Sequence, residues 1–185
     1  MRSGFILSCE STIDLPYSYC EQRDIPVLFY SYQVDGVSYE DDMGRDPEAL
    51  PQFYGFLDAG KLPSTAQLNE FQYETFFDAL LQQGDVLHIA FGSGMTASVQ
   101  NAMLAAETLR EKYPEDELYL VVGTDMFLSF REWHEYKYLL DNCTLAVLSR
   151  ETDDRGEILS FKRSLENEDG ARIRLIKHEP LPMSS

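Results

Sequence analysis

Cysteine is scarce in this chain, and its three copies, Cys9, Cys20 and Cys143, are odd in number and far apart. With no Cys-x-x-Cys pair they exclude a disulfide framework and offer no zinc-ligand spacing, so they read as reduced thiols of a cytoplasmic protein. Long apolar runs are also missing, and nothing in the sequence suits a bilayer span. The first apolar stretch, Phe5 to Cys9, is too short for a signal peptide and soon meets Glu10 and Asp14. Basic residues are few: 15 Lys and Arg stand against 32 Asp and Glu, a net charge of -17. Such a balance repels phosphate backbones and anionic lipid heads, which speaks against nucleic-acid binding and membrane insertion. Arg172, Arg174, Lys177 and His178 form a mildly basic end. His134 and His178 have no metal-ligand spacing, so no metal site is expected.

Linkers rich in Pro, Gly or Ser, internal repeats and low-complexity segments are lacking too. What is present is enough for a sizeable core: 185 residues, 44% hydrophobic and 12% aromatic, fit one domain or two small ones. Short apolar runs alternate with stretches of helical period, the pattern of a parallel sheet covered by helices. The expected strands are Phe5 to Cys9, Val27 to Val34, Val86 to Phe91, Leu118 to Val122, Leu145 to Leu148 and Arg172 to Ile176. The expected helices run from about Pro47 to Ala59, Glu70 to Gln82, Ala97 to Lys112 and Arg155 to Glu166. Asp46 before Pro47 is a favourable helix start. Asp35-Gly36 suits a tight turn with positive φ angles, which places a small hairpin within the alternation. The fold class is therefore α/β, a three-layer, mostly parallel Rossmann-like sheet with helices on both faces and a small β-hairpin.

In such sheets ligands bind beyond the carboxyl ends of the strands, and three hydroxyl-bearing loops are expected there. Ser11-Thr12 follow the first strand, Ser64-Thr65 precede a helix, and Ser93 to Ser98 follow the third expected strand. Gly92 and Gly94 would let backbone N–H groups approach a ligand, and a helix N-terminus adds partial positive charge, so an anionic head group would suit. The same residues also serve as ordinary N-caps and turns. Ser93 sits at a strand-to-helix turn, but Gly92-Ser93-Gly94-Met95 lacks the Gly-x-Ser-x-Gly elbow, which disfavours a serine hydrolase.

The order of several segments carries a resemblance. Cys9-Glu10-Ser11-Thr12-Ile13-Asp14-Leu15-Pro16, Ile25-Pro26-Val27, Tyr39-Glu40-Asp41-Asp42, Phe53-Tyr54, Leu62-Pro63-Ser64-Thr65-Ala66-Gln67 and Ser93-Gly94-Met95-Thr96-Ala97-Ser98-Val99-Gln100-Asn101-Ala102 together resemble the DegV family over roughly residues 5 to 110. The resemblance implies a lobe, residues 1–110, that binds a fatty acid or another small anionic ligand without a cofactor, together with an acyl-processing protein partner. The implied head-group residues are Ser11, Thr12, Thr65, Ser93, Gly94, Thr96 and Ser98. The loop reads Ser-Gly-Met-Thr-Ala-Ser where the family more often has Ser-Gly-Leu-Ser-Gly-Thr, which leaves open which of its hydroxyls touches the carboxylate. Family members continue into a second lobe that helps enclose the acyl chain. Its loss would weaken binding, because apolar burial at roughly 25 cal/mol per Å² supplies most of the affinity for a long chain.

In the second half, Thr124 and Asp125 lie just past an expected strand, where Asp125 could accept hydrogen bonds from a ribose and Trp133, the only tryptophan, could stack on a heteroaromatic ring. Equally, Asp125 could cap a helix starting near Met126 and Trp133 could be partly buried core. Thr108 to Pro114, Leu120 to Met126, Arg131 to Tyr136 and Ala146 to Arg150 look like the central part of bacterial nicotinate-nucleotide adenylyltransferases, and Met183-Ser184-Ser185 looks like the start of that family's Ile-Ser-Ser-Thr-x-Ile-Arg motif. This second resemblance covers about residues 105 to 185 and implies nucleotide binding through Thr124, Asp125, Trp133 and Arg150, with ATP and Mg as cofactors. The family's N-terminal Gly-x-Phe-Asp-Pro-x-His-x-Gly-His loop and intact C-terminal motif, which position and stabilise the phosphates, are absent. Little or no transferase activity is expected, and no catalytic residue is assigned.

Between Asn101 and Gly123 the sequence satisfies both families, each of which places a helix and then a parallel strand here. A crossover inside that unit would keep the βαβ connection intact. Residues 111–185 are then expected to continue the sheet of residues 1–110. The leading expectation is a chimeric α/β chain with a DegV-like acyl head-group site. A degenerate adenylyltransferase and a hybrid without either function are the alternatives.

Overall fold

The structure, a computed structural model, describes residues 4–90, 98–133, 136–149 and 155–176. The chain divides into two compact units, Met1–Lys112 and Tyr113–Ser185, and both are α/β, as the alternation of apolar runs and helical periods predicts.

In the first unit, strand β1 (Ile6–Glu10) lies between β2 (Val27–Leu28) and β6 (Val86–Ile89), all parallel, with Cys9 opposite Val27 and Ser8 opposite His88. Helix α1 (Tyr17–Glu21), which the sequence pattern did not signal, lies between β1 and β2 in the chain. The hairpin falls where expected. Strands β3 (Ser31–Val34) and β4 (Val37–Glu40) are antiparallel, and Asp35 and Gly36 turn the chain with φ of 51° and 79°, the two positive angles of a type I′ turn. A third strand, β5 (Ser64–Ala66), pairs antiparallel with β3.

The single strand expected from Val27 to Val34 is in fact two strands in two sheets. The break lies at Tyr30, whose backbone N–H donates to Ser11 Oγ (3.1 Å) and whose carbonyl accepts from the Asp41 N–H (2.9 Å). With both groups engaged by loops, Tyr30 has nothing left for a ladder.

Helix α2 (Ala49–Asp58) begins slightly after Pro47. Asp46 accepts from the Glu48 N–H (2.9 Å) and leads into the helix through a turn. Helix α3 (Glu70–Leu81) is fixed by a reciprocal cap: Asn69 Oδ1 accepts from the Gln72 N–H and Gln72 Oε1 accepts from the Asn69 N–H, both at 3.0 Å. Helix α4 (Ser98–Arg110) packs against α3. Leu68, Tyr73, Ala102 and Ala105 form the buried cluster there, with Leu28, Tyr30 and Phe77 against it.

In the second unit, β7 (Tyr119–Gly123), β8 (Thr144–Leu148) and β9 (Arg172–Ile176) form a parallel sheet in that order. Helices α5 (Thr124–Leu128), α6 (Tyr136–Asn142) and α7 (Arg155–Glu168) occupy the connections. Its core includes the fully buried Phe127, Phe130, Leu145, Val147 and Leu165. Arg131 bonds Asp169 Oδ2 through Nε (3.1 Å) and through the guanidinium nitrogen (2.7 Å), which also reaches Glu168 (2.8 Å). Among the described residues no helix is long and apolar enough to cross a membrane.

Candidate functional site

Side chains alternate across a strand, so Ser8 and Glu10 share one face of β1, and both are 0% exposed. Polar groups so deeply placed must find partners. Ser8 Oγ lies 3.0 Å from His88 Nδ1, directly across the ladder. The Tyr73 hydroxyl, from α3, donates to Glu10 Oε1, and the Thr12 hydroxyl approaches Glu10 Oε2 at 3.5 Å. His88 Nε2 stands 3.7 Å from Glu10 Oε1, and the imidazole meets the rings of Tyr73, Phe76 and Phe77 edge to face. Burial, then the bond to Glu10 and the charge of Glu10, push the Tyr73 phenol far above its ordinary range, so it remains a neutral donor. The result is a buried carboxylate clasped at the carboxyl end of the central strand.

The buried Cys9 thiol, next to Glu10 in β1, is held protonated, and so is the Cys143 thiol of the second unit. Burial first, then the adjacent Cys20 thiol and the charge of Glu10, push Cys9 from 9.0 up to about 12, and burial lifts Cys143 to about 11. Among the described residues no group of three or more His, Cys, Asp or Glu side chains could hold a metal ion.

The predicted head-group residues fall into different settings. Ser11 is buried in the 3₁₀ turn Ser11–Ile13, and its hydroxyl accepts from the Tyr30 N–H. Thr12 is half-buried beside Glu10. Thr65 is exposed in the middle of β5. Ser98 is buried as the first residue of α4, while Ser93, Gly94 and Thr96 lie outside the described residues. The segments carrying Thr65 and Ser98 are tied together, because Asn101 Nδ2 donates to the Leu68 carbonyl at 2.7 Å.

Thr65 has apolar company. It pairs with Tyr32 in the ladder, and Tyr32 pairs in turn with Tyr39, so the three occupy one row on one face of the β4-β3-β5 sheet. The two tyrosine rings stack at 5.4 Å, Phe53 meets Tyr32 edge-on at 5.2 Å, and Phe56 lies 5.2 Å from Tyr39. All four aromatic residues are only half-buried. An exposed hydroxyl thus borders a partly open aromatic patch.

In the second unit, Thr124 and Asp125 open α5 at the end of β7, with Asp125 exposed and in the first turn. A Cβ on Gly123 would stand 2.9 Å from Asp125 Oδ1, so glycine leaves room for that carboxylate. Trp133 is half-buried with its ring 5.0 Å from that of Phe130. Arg150, His134 and His178 lie outside the described residues.

Sequence reading passed over Glu10, Tyr73 and Asn101 as individual functional candidates and His88 altogether. The available signal was polarity at alternate positions of an apolar strand, Ser8 and Glu10 in β1, matched by His88 within Val86–Ile89.

A family model described as an uncharacterised protein of the DegV family matches residues 7–129, which runs beyond the segment of resemblance read from the motifs. A DegV domain-containing protein of Clostridium perfringens is 34% identical over 119 residues, 63% of this chain and 40% of that protein. The chain therefore spans well under half the length of this curated relative. The probable nicotinate-nucleotide adenylyltransferase of Geobacter sulfurreducens is 28% identical over 120 residues, 63% of this chain and 55% of that protein. Among solved structures, a stearic acid-binding protein from Eubacterium ventriosum matches 89% of this chain and 48% of its own, with a TM-score of 0.53 at 19% identity. A DegV family protein from Thermus thermophilus, described for its fatty acid binding, matches 86% of this chain and 52% of its own, with a TM-score of 0.51 at 22% identity.

Proposed function

The chain belongs to the DegV family, and from that premise we infer that its first unit binds the carboxylate of a fatty acid. The observation that carries this reading is the exposed Thr65 hydroxyl in the same sheet row as the half-buried Tyr32 and Tyr39. An amphiphile needs that combination, a donor for its head group beside apolar surface for its first methylenes. The likeness to proteins named for fatty-acid binding supports it.

In this reading the Thr65 hydroxyl donates to a carboxylate oxygen, and residues from Ser93 to Ser98 supply further donors. Ser11 and Thr12 organise the end of β1 beside it. No cofactor takes part, and no reaction is assigned to the Tyr113–Ser185 unit, whose likeness to adenylyltransferases is partial. The protein acts in the cytoplasm and presents its ligand to an acyl-processing protein.

Lipid analysis and native mass spectrometry of the purified chain test the reading. A bound or added fatty acid such as palmitate or oleate is expected on the protein. No bound fatty acid and no affinity for either added acid would overturn it.

A further inference from the structure

Two segments distant in sequence carry the hydroxyls of the acyl-carboxylate reading, and their relative position depends on how α3 and α4 are aligned. The buried cluster at that contact sets Ala102 and Ala105 of α4 against Leu68, just before α3, and against Tyr73 and Phe77 of α3. Small side chains fix how closely two helices approach but offer few ridges to stop one sliding along the other. Among the described contacts, three polar ties join α4 to α3 and the residue before its cap. Thr108 Oγ1 donates to Glu70 Oε1 (3.1 Å) and Lys112 pairs with Asp78, both exposed. The third, Asn101 Nδ2 to the Leu68 carbonyl at 2.7 Å, is partly buried and lies in the first turn of α4, beside the start of α3. Exposed ties contribute little, whereas a shielded bond to a backbone carbonyl holds its geometry.

We propose that Asn101 is a positioning residue for carboxylate binding, setting the spacing between the Thr65 segment and the first turn of α4 that begins at Ser98. The inference rests on the acyl-binding reading of the same site. Leu68 follows Thr65 by three residues and precedes the capped Asn69, so the carbonyl that Asn101 grips is rigidly connected to β5 on one side and α3 on the other. Asn101 stands three residues after Ser98, within the first turn of α4. A carboxylate held by donors from both segments needs each within hydrogen-bond length at once, and such bonds weaken steeply when donors drift. Asn101 itself touches no ligand; it acts through the two segments it joins.

The test compares palmitate with hexadecanol, which has the same chain length and no carboxylate. For Asn101→Ala the dissociation constant for palmitate is expected to rise about tenfold, as for loss of one charge-assisted hydrogen bond. Affinity for hexadecanol should stay within about twofold, since the apolar surface is untouched. Lys112→Met, which removes the exposed tie to Asp78 well along α3, should leave both affinities unchanged. Asn101→Gln keeps the donor but displaces it by one methylene and should fall between Asn101→Ala and the unsubstituted chain. Should Asn101→Ala fail to fold by far-UV circular dichroism, the comparison is made on Asn101→Gln. Equal losses for acid and alcohol, or an unchanged affinity for the acid, overturn the positioning role alone. No palmitate binding by the unsubstituted chain overturns the acyl reading and the positioning role with it.

Discussion

Removing one oxygen from Tyr73 should cost more than most core substitutions of its size. Tyr73→Phe keeps the ring that packs on Phe77 and His88 and opens almost no cavity, so the change removes the hydroxyl that donates to Glu10 and lies beside Tyr30. Both residues are 0% exposed, and the donated bond ends on a carboxylate. Hydrogen bonds to charged groups contribute about 1.5–3 kcal/mol. Of the other contacts described for Glu10, Thr12 at 3.5 Å is weak, and His88 Nε2 at 3.7 Å is beyond a normal bond. A loss of about 2–3 kcal/mol is expected, which at a urea slope of about 2 kcal/mol per M lowers the unfolding midpoint by roughly 1 M. Glu10→Gln removes the charge while keeping the shape, so in a double-mutant cycle Tyr73→Phe should become cheaper by about 1 kcal/mol or more when Gln stands at position 10. Additive effects, or a Tyr73→Phe loss under about 0.5 kcal/mol, would refute the clasp as a stabilising element.

Two further outcomes follow from the same structure. Cys9 and Cys143 hold their protons up to about 12 and about 11 in the folded chain against 9.0 otherwise, and Tyr73 holds its own beyond 10.0. Above pH 9 the unfolded chain therefore releases protons that the folded one keeps, and stability should fall as pH rises from 9 to about 11, by up to ~1.4 kcal/mol per pH unit for each group. Urea midpoints at pH 8, 9.5 and 10.5, at constant ionic strength, should decline in order, and a flat or rising series would contradict the burial argument. Asn69→Ala breaks the reciprocal cap of α3 and should cost about 1 kcal/mol in the same assay, with Asn69→Asp close to unsubstituted; equal stability for all three would show that the cap contributes nothing.

Much of the layout was legible because it rests on local patterns. Asp35-Gly36 called the hairpin, since few residue pairs accept two positive φ angles, and the apolar runs at Val86 and Leu145 called parallel strands. The Val27–Val34 run misled, because hydrophobicity marks a strand without saying that Tyr30 gives its N–H to Ser11, nineteen residues earlier. Strand β5 was invisible because Ser64-Thr65-Ala66 is short and lacks apolar alternation; only its antiparallel pairing with β3 makes it a strand. Helices α1 and α6, of five and seven residues, are too short to show a helical period.

The site was read as a list of hydroxyls, and the structure separates them by role. Ser11 serves the backbone of Tyr30, whereas Thr65 stands open beside aromatic rings. Glu10, Tyr73 and His88 could not be joined from sequence, because their meeting depends on strand register and on which face of α3 turns inward.

The most direct test of the account is a calorimetric titration of palmitate into the chain and into Thr65→Val, which keeps the β-branched shape and removes only the donor. The account predicts binding by the unsubstituted chain and a weakening of about tenfold or more in Thr65→Val, the worth of one hydrogen bond to a charged group. Equal affinity in the two proteins, or none in either, would contradict it.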